Sequence, residues 1–180
     1  MRALNRLALA ALASVAALGA AQAADPISYP LSTDVAMPVY DSPGYDWSGF
    51  YAGVFGAAQT SAANGTQFGG GVALGVNAQF DFVLVGAEVA VLGITGPADN
   101  IYVQGTGRAG VLVTDELAIF AAAGYGVNPV TPVENHVLVG GGLEYAVTDN
   151  VSLRAQYLHG IPITGGTATD QVTLGANFSF

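Results

Sequence analysis

The chain contains no cysteine and no lysine. Without cysteine there is no disulfide framework and no thiol for a lipoprotein anchor. The basic residues are Arg2, Arg6, Arg108 and Arg154, set against 13 acidic residues, for a formal charge of −9. So acidic a chain excludes nucleic-acid binding through phosphate contacts. Charge of either sign is scarce: 9% of residues are charged and 52% are hydrophobic. A soluble surface usually carries about 25–35% charged residues. Long apolar runs are missing too, because nothing after the first two dozen residues has the length and continuity of a membrane helix. An apolar chain without such helices leaves one membrane class, strands that close on themselves.

What is present begins with an address. Arg2 and Arg6 precede the run "LALAALASVAALGAA", and Ala21-Gln22-Ala23 closes it as an A-x-A site. That order is a cleaved signal peptide over residues 1–23 of an exported bacterial protein. Residues 24–46 form a periplasmic linker, interrupted by Pro26, Pro30, Pro38 and Pro43 and hydrated by Asp25, Asp34, Asp41 and Asp46. The folded domain is expected over residues 47–180.

That domain reads as eight strands, near residues 47–59, 67–80, 83–92, 101–114, 117–127, 136–147, 151–159 and 171–180. The last is the clearest. Val172, Leu174, Ala176, Phe178 and Phe180 alternate with Gln171, Thr173, Gly175, Asn177 and Ser179, the period of two that a strand imposes. The first strand mixes aromatics with glycines and leaves its facing open; the fifth is apolar almost throughout. Tight turns are expected at residue 81, 114–116 and 148–150. Longer connections are expected at 60–66, 93–100, 128–135 and 160–169, where Gly, Pro, Asn and Asp gather. Short turns at one rim and longer loops at the other describe an all-β, eight-stranded, antiparallel closed transmembrane barrel. An even strand number sets both termini on the short-turn, periplasmic side.

Facing follows from composition. The polar face is mostly Gly, Ala, Thr, Asn and Gln, too sparsely charged for a solvated exterior but suited to a crowded interior. The apolar face therefore meets outer-membrane lipid. Trp47, Phe50, Phe80, Phe82, Tyr145, Phe178 and Phe180 fall near the periplasmic strand ends, where an interfacial aromatic girdle is expected. Glu88, Arg108, Glu144 and Arg154 are the charges within strands, all on the inward phase, and are expected to form an interior network. Neighbouring strands would pair Glu88 with Arg108. Glu144 and Arg154, equidistant about the turn at 148–150, would pair with each other.

Three segments resemble a known family: "YDWSGFYAG" at residues 45–53, "GGGVALGVNAQF" with "VGAEV" at 69–89, and "GGGLEYAVTDNVSLRAQYLHG" at 140–160. They are similar to the Omp25/Omp31-like porin family, small outer-membrane barrels of alphaproteobacteria. The terminal "FSF" resembles the aromatic signal read by outer-membrane assembly machinery, which implies that role for Phe178 and Phe180. The resemblance implies a structural envelope protein. Its alternatives are loop-mediated binding of haem or a host ligand, and a narrow porin-like channel. Eight strands oppose the channel, since a barrel this narrow is filled by side chains and an aqueous pore takes about sixteen.

No cofactor is expected, nor any metal. His136 and His159 lie near the same rim, but the phase turns the first inward and the second outward, which opposes joint ligation. No histidine stands beside a serine with a carboxylate in register, so catalysis is not expected. Ser152 is assigned to a strand interior and Asp170 to a loop. The glycines at 69–71 and 140–142 precede no helix and form no phosphate loop.

Overall fold

The structure, a computed structural model, describes residues 44–95, 100–129, 134–164 and 166–180. The signal peptide and the linker as far as residue 43 lie outside them. The strands are β1 Gly49–Ser61, β2 Gly65–Phe80, β3 Val83–Thr95, β4 Asn100–Thr114, β5 Leu117–Asn128, β6 Glu134–Thr148, β7 Val151–Thr164 and β8 Thr169–Ser179. Each pairs antiparallel with the next, and β8 pairs back onto β1 to close the barrel. Closure satisfies the backbone groups that a terminal strand would otherwise leave at an edge.

Alternation in the sequence becomes alternation in burial. Along β3, Leu84, Glu88, Ala90, Leu92 and Ile94 are buried, while Val85, Val89 and Val91 stand on the outer surface. Along β8, Gln171, Thr173 and Asn177 are inside, and Val172, Leu174 and Phe178 outside. Three apolar clusters stand in the interior. Trp47, Leu84, Ala118 and Ala146 cluster at the short-turn rim. Phe120, Ala122, Leu138 and Leu158 form a second group, and Ala57, Leu92, Ile94 and Tyr102 a third.

At the rim of the longer connections every strand runs past its expected end, whereas at the other rim β1 begins at Gly49 and β8 stops at Ser179. Thr60 pairs with Thr66 and Ser61 with Gly65, so residues 62–64 make a short turn where a loop over 60–66 was expected. Gly65 leaves it at φ +65, a conformation glycine adopts without penalty. β7 runs through Pro162, which faces His136 beside a register shift at Asn135/His136. A bulge is where a strand tolerates proline. At the other rim the turns are residues 81–82, 115–116 and 149–150. Asp81 takes φ 56, which a short polar side chain permits.

Candidate functional site

The interior polar side chains build one connected site. Glu88 from β3, Arg108 from β4, Glu144 from β6 and Arg154 from β7 are all buried. Arg154 ion-pairs with Glu88. Arg108 Nη1 lies 2.9 Å from Glu144 Oε2. Both pairings differ from the neighbour-strand pairs expected above. Glu144 and Arg154 do face each other in the ladder, yet each charged end finds its partner elsewhere. In a ring of eight, β3 and β7 lie on opposite sides, so the Arg154–Glu88 pair crosses the lumen. The Arg108–Glu144 pair spans β5, where Ala122 opposes Arg108 and Ala118 opposes Glu144. Phe120, inward between them, lies against the guanidinium, its ring centroid 5.2 Å from the Arg108 guanidinium carbon.

Crossing also lets the charged ends gather neutral partners. The Tyr51 hydroxyl donates to Glu88 Oε2 at 2.6 Å. Arg108 donates Nε and Nη2 to Asn77 Oδ1 at 3.0 and 2.8 Å. The second Glu144 oxygen accepts from Ser152 Oγ and from Asn177 Nδ2, at 2.5 and 2.7 Å. The Arg108 and Arg154 guanidinium carbons stand 4.8 and 5.8 Å from the Tyr51 ring centroid, within cation–π range. Tyr51 thus sits among both cations and one anion. Glycine makes the room: a Cβ at Gly75 would lie 2.2 Å from the Tyr51 hydroxyl oxygen, and one at Gly86 2.3 Å from Asn77 Oδ1. Two cations, two anions and their neutral partners fill the cross-section. Such an arrangement ties strands together across the ring.

Tyr51, Asn77, Ser152 and Asn177 belong to this site, and the sequence reading did not assign them to it. Asn77 and Asn177 share the inward phase of their strands, which is the signal that could have found them. Ser152, read as a strand interior, is instead a donor to Glu144.

Trp47 is a correction. It is 3% exposed, not part of an outward girdle. Its Nε1 donates to the Asp115 carbonyl at 3.1 Å, and Tyr45 packs on it edge-on at 4.7 Å. The Tyr45 hydroxyl lies 2.6 Å from Ser179 Oγ, so ordered packing begins within the segment read as linker. Trp47 precedes β1 and folds under the barrel, where an apolar ring finds Leu84, Ala118 and Ala146 and its N–H finds a turn carbonyl. Phe50, Phe80, Phe82 and Tyr145 do point outward at this rim. Phe178 and Phe180 pack edge to face at 5.4 Å, and the Phe180 amide donates to the Phe50 carbonyl at 3.0 Å.

The histidines lie on opposite faces. His136 is buried; His159 is on the outer surface, with Nδ1 2.8 Å from Asp170 Oδ1. Asp170 belongs to β8 and faces His159 in register, rather than lying in a loop. It also accepts from the Tyr157 hydroxyl at 2.6 Å. Ser152 is committed to Glu144 and joins neither histidine. Among the described residues, no three His, Cys, Asp or Glu side chains gather to hold a metal.

No protein-family model matches the chain, and no curated protein matches it in sequence. In structure it is similar to Ail, the attachment invasion locus protein of Yersinia pestis. The TM-score is 0.57 at 14% identity, covering 74% of this chain and 97% of that one. Ail in complex with the heparin analogue sucrose octasulfate gives 0.55 at 15% identity, covering 74% and 97%. The N-terminal β-barrel domain of Pseudomonas aeruginosa OprF gives 0.51 at 15%, covering 73% and 99%. These likenesses are likenesses of fold.

Proposed function

We infer that the protein is a structural barrel of the Gram-negative outer membrane, contributing to envelope integrity and surface properties. One observation carries this reading: the barrel is inside-out. Phe50, Val54, Leu74, Phe80 and Leu174 each expose more than half their surface, while the four strand charges are buried. In water such an exterior would far exceed the apolar patches that monomeric soluble proteins tolerate. In a bilayer it is the expected surface. The likeness of fold to the OprF barrel domain and to Ail supports the same reading. The resemblance to Omp25/Omp31-like proteins narrows it to a family. A signal peptide over residues 1–23 and termini on the periplasmic side complete it, with no enzyme activity and no cofactor.

Envelope fractionation tests this. The protein is expected in the outer-membrane fraction, and unheated samples should migrate differently on detergent gels from boiled ones, as a closed barrel does. Recovery as a soluble protein, or identical migration before and after heating, would refute it. Assembly is expected to depend on the terminal aromatics as the signal read by the assembly machinery. Phe180→Ser should lower the outer-membrane level, and an unchanged level would remove that role.

The channel alternative is opposed by the crossed ion pairs and by the Trp47 cluster at the short-turn rim. Planar-bilayer recordings are expected to show no large, stable conductance; steady porin-sized steps from pure protein would overturn the filled interior. Loop-mediated binding would rest on short connections, since residues 62–64, 96–99, 129–133 and 165–168 are all that separate the strands at that rim.

A further inference from the structure

Two buried polar atoms have no partner among the described residues, and they lie together away from the charge lattice. They are the Tyr102 hydroxyl and His136 Nδ1. Tyr102 is 3% and His136 1% exposed, and the ring centroids are 6.1 Å apart. Both occupy the lumen toward the rim opposite Trp47. Native structures rarely leave such groups unpaired, so two beside one another ask for a common partner.

The chemistry of that partner can be read from the ring. His136 Nε2 lies 3.2 Å from the Thr167 carbonyl oxygen. A carbonyl only accepts, so Nε2 carries a proton, and in that tautomer Nδ1 is a bare lone pair. A Cβ at Gly160 would lie 3.5 Å from His136 Cδ2. That edge of the ring therefore lies against β7, and the Nδ1 edge is the other one. On β5 the residue facing His136 is Gly126, where a Cβ would lie 2.1 Å from the Tyr102 hydroxyl oxygen. Gly126 thus gives the room in which the Tyr102 phenol lies, on the strand between Tyr102 and His136. What binds there must donate to nitrogen.

A metal ion does not suit the site, since among the described residues His136 belongs to no group of three His, Cys, Asp or Glu side chains. An anion would meet the lone pair head-on, with Glu134 two residues further along β6. An N–H donor bearing positive charge fits all of it. It donates to His136 Nδ1 and to the Tyr102 oxygen, and the aromatic ring favours a cation. Gln104, the next inward residue along β4, adds an amide oxygen, engaged only by a 3.4 Å contact from Gln171.

We propose that this end of the lumen binds a primary ammonium group of a small free amine, held between His136 Nδ1 and the Tyr102 hydroxyl. The site needs only the lumen geometry and is independent of which membrane surrounds the barrel. The test uses full-length processed protein, folded in detergent micelles with 15N-labelled histidine, at pH 8. Methylammonium chloride is titrated in, with tetramethylammonium chloride, which has no N–H, as the control. The His136 Nδ1 resonance is expected to move saturably with methylammonium and not with tetramethylammonium, while the His159 signals stay behind. Tyr102→Phe should weaken binding by about fivefold, the worth of one ordinary hydrogen bond. His136→Ala, its fold checked by heat-modifiable migration, should abolish saturable binding followed by calorimetry. Three results would overturn the site: no saturable shift, an equal shift with tetramethylammonium, or unchanged affinity in Tyr102→Phe. A resonance already at its hydrogen-bonded position and indifferent to methylammonium would mean a water alone, and also overturns it.

Discussion

Replacing Arg154 by alanine is expected to lower the stability of the barrel by about 3–5 kcal/mol, and adding Glu88→Ala should recover much of that loss. The Arg154 guanidinium is the counter-charge of a carboxylate whose side chain is 4% exposed. Without it, Glu88 keeps the Tyr51 hydroxyl at 2.6 Å but stays buried as an uncompensated anion. The desolvation cost remains while the attraction that offset it is gone. Removing Glu88 in the same chain removes that cost. The rescue should be specific. Arg154→Ala with Glu144→Ala should be no better than additive, because Glu144 is held by Arg108, Ser152 and Asn177. Deleting it strands Arg108 instead. Denaturant unfolding of the singles and both doubles, in detergent or vesicles, supplies the cycles. Rescue by Glu144→Ala and not by Glu88→Ala would show that ladder neighbours pair and that the crossed arrangement is wrong.

The contrast between the two cycles marks where sequence reading stops. That the four charges face inward is legible, because charge is so rare in this chain that its phase against Val and Leu is unambiguous. The ladder position of Glu144 opposite Arg154 is legible as well, by counting from the turn. Neither says how far a long side chain reaches. Glu88 and Arg154 lie four strands apart in the chain order, and only ring closure sets them face to face across a lumen narrow enough to bridge. The guanidinium of Arg108 also rests on Phe120, a residue of the almost wholly apolar β5, where alternation gives little sign of which side chains face inward.

Tyr51 is hidden for a different reason. β1 carries large side chains on both faces, with Phe50 and Val54 exposed and Tyr51 buried. The alternation that identifies an inward residue elsewhere therefore cancels there. The longer strands follow from pairing rather than hydropathy. Thr60, Thr66 and Ser61 are polar enough to read as loop, but pairing their backbone groups is worth more than leaving them free.

Trp47 tests the same point at the barrel's end. It lies two positions before Gly49, in phase with Tyr51, and its indole is covered by Leu84, Ala118 and Ala146. It is the one tryptophan of the chain, so emission reports on it alone. An indole in an outward girdle would be quenched by brominated lipids; one beneath the barrel would not. The expected result is resistance to brominated lipids in vesicles and to acrylamide in water, with quenching restored on unfolding. Strong quenching by brominated lipid would return Trp47 to the outer surface. Trp47→Ala should cost about 3–5 kcal/mol, the usual loss for emptying a buried aromatic site. The hydrogen bond to the Asp115 carbonyl goes with it, and so does the edge-on contact with Tyr45. Conductance should nonetheless stay absent in this variant, because the crossed ion pairs still fill the lumen above the vacated rim. Porin-sized steps appearing in Trp47→Ala would mean that the indole alone seals the barrel and the lattice does not.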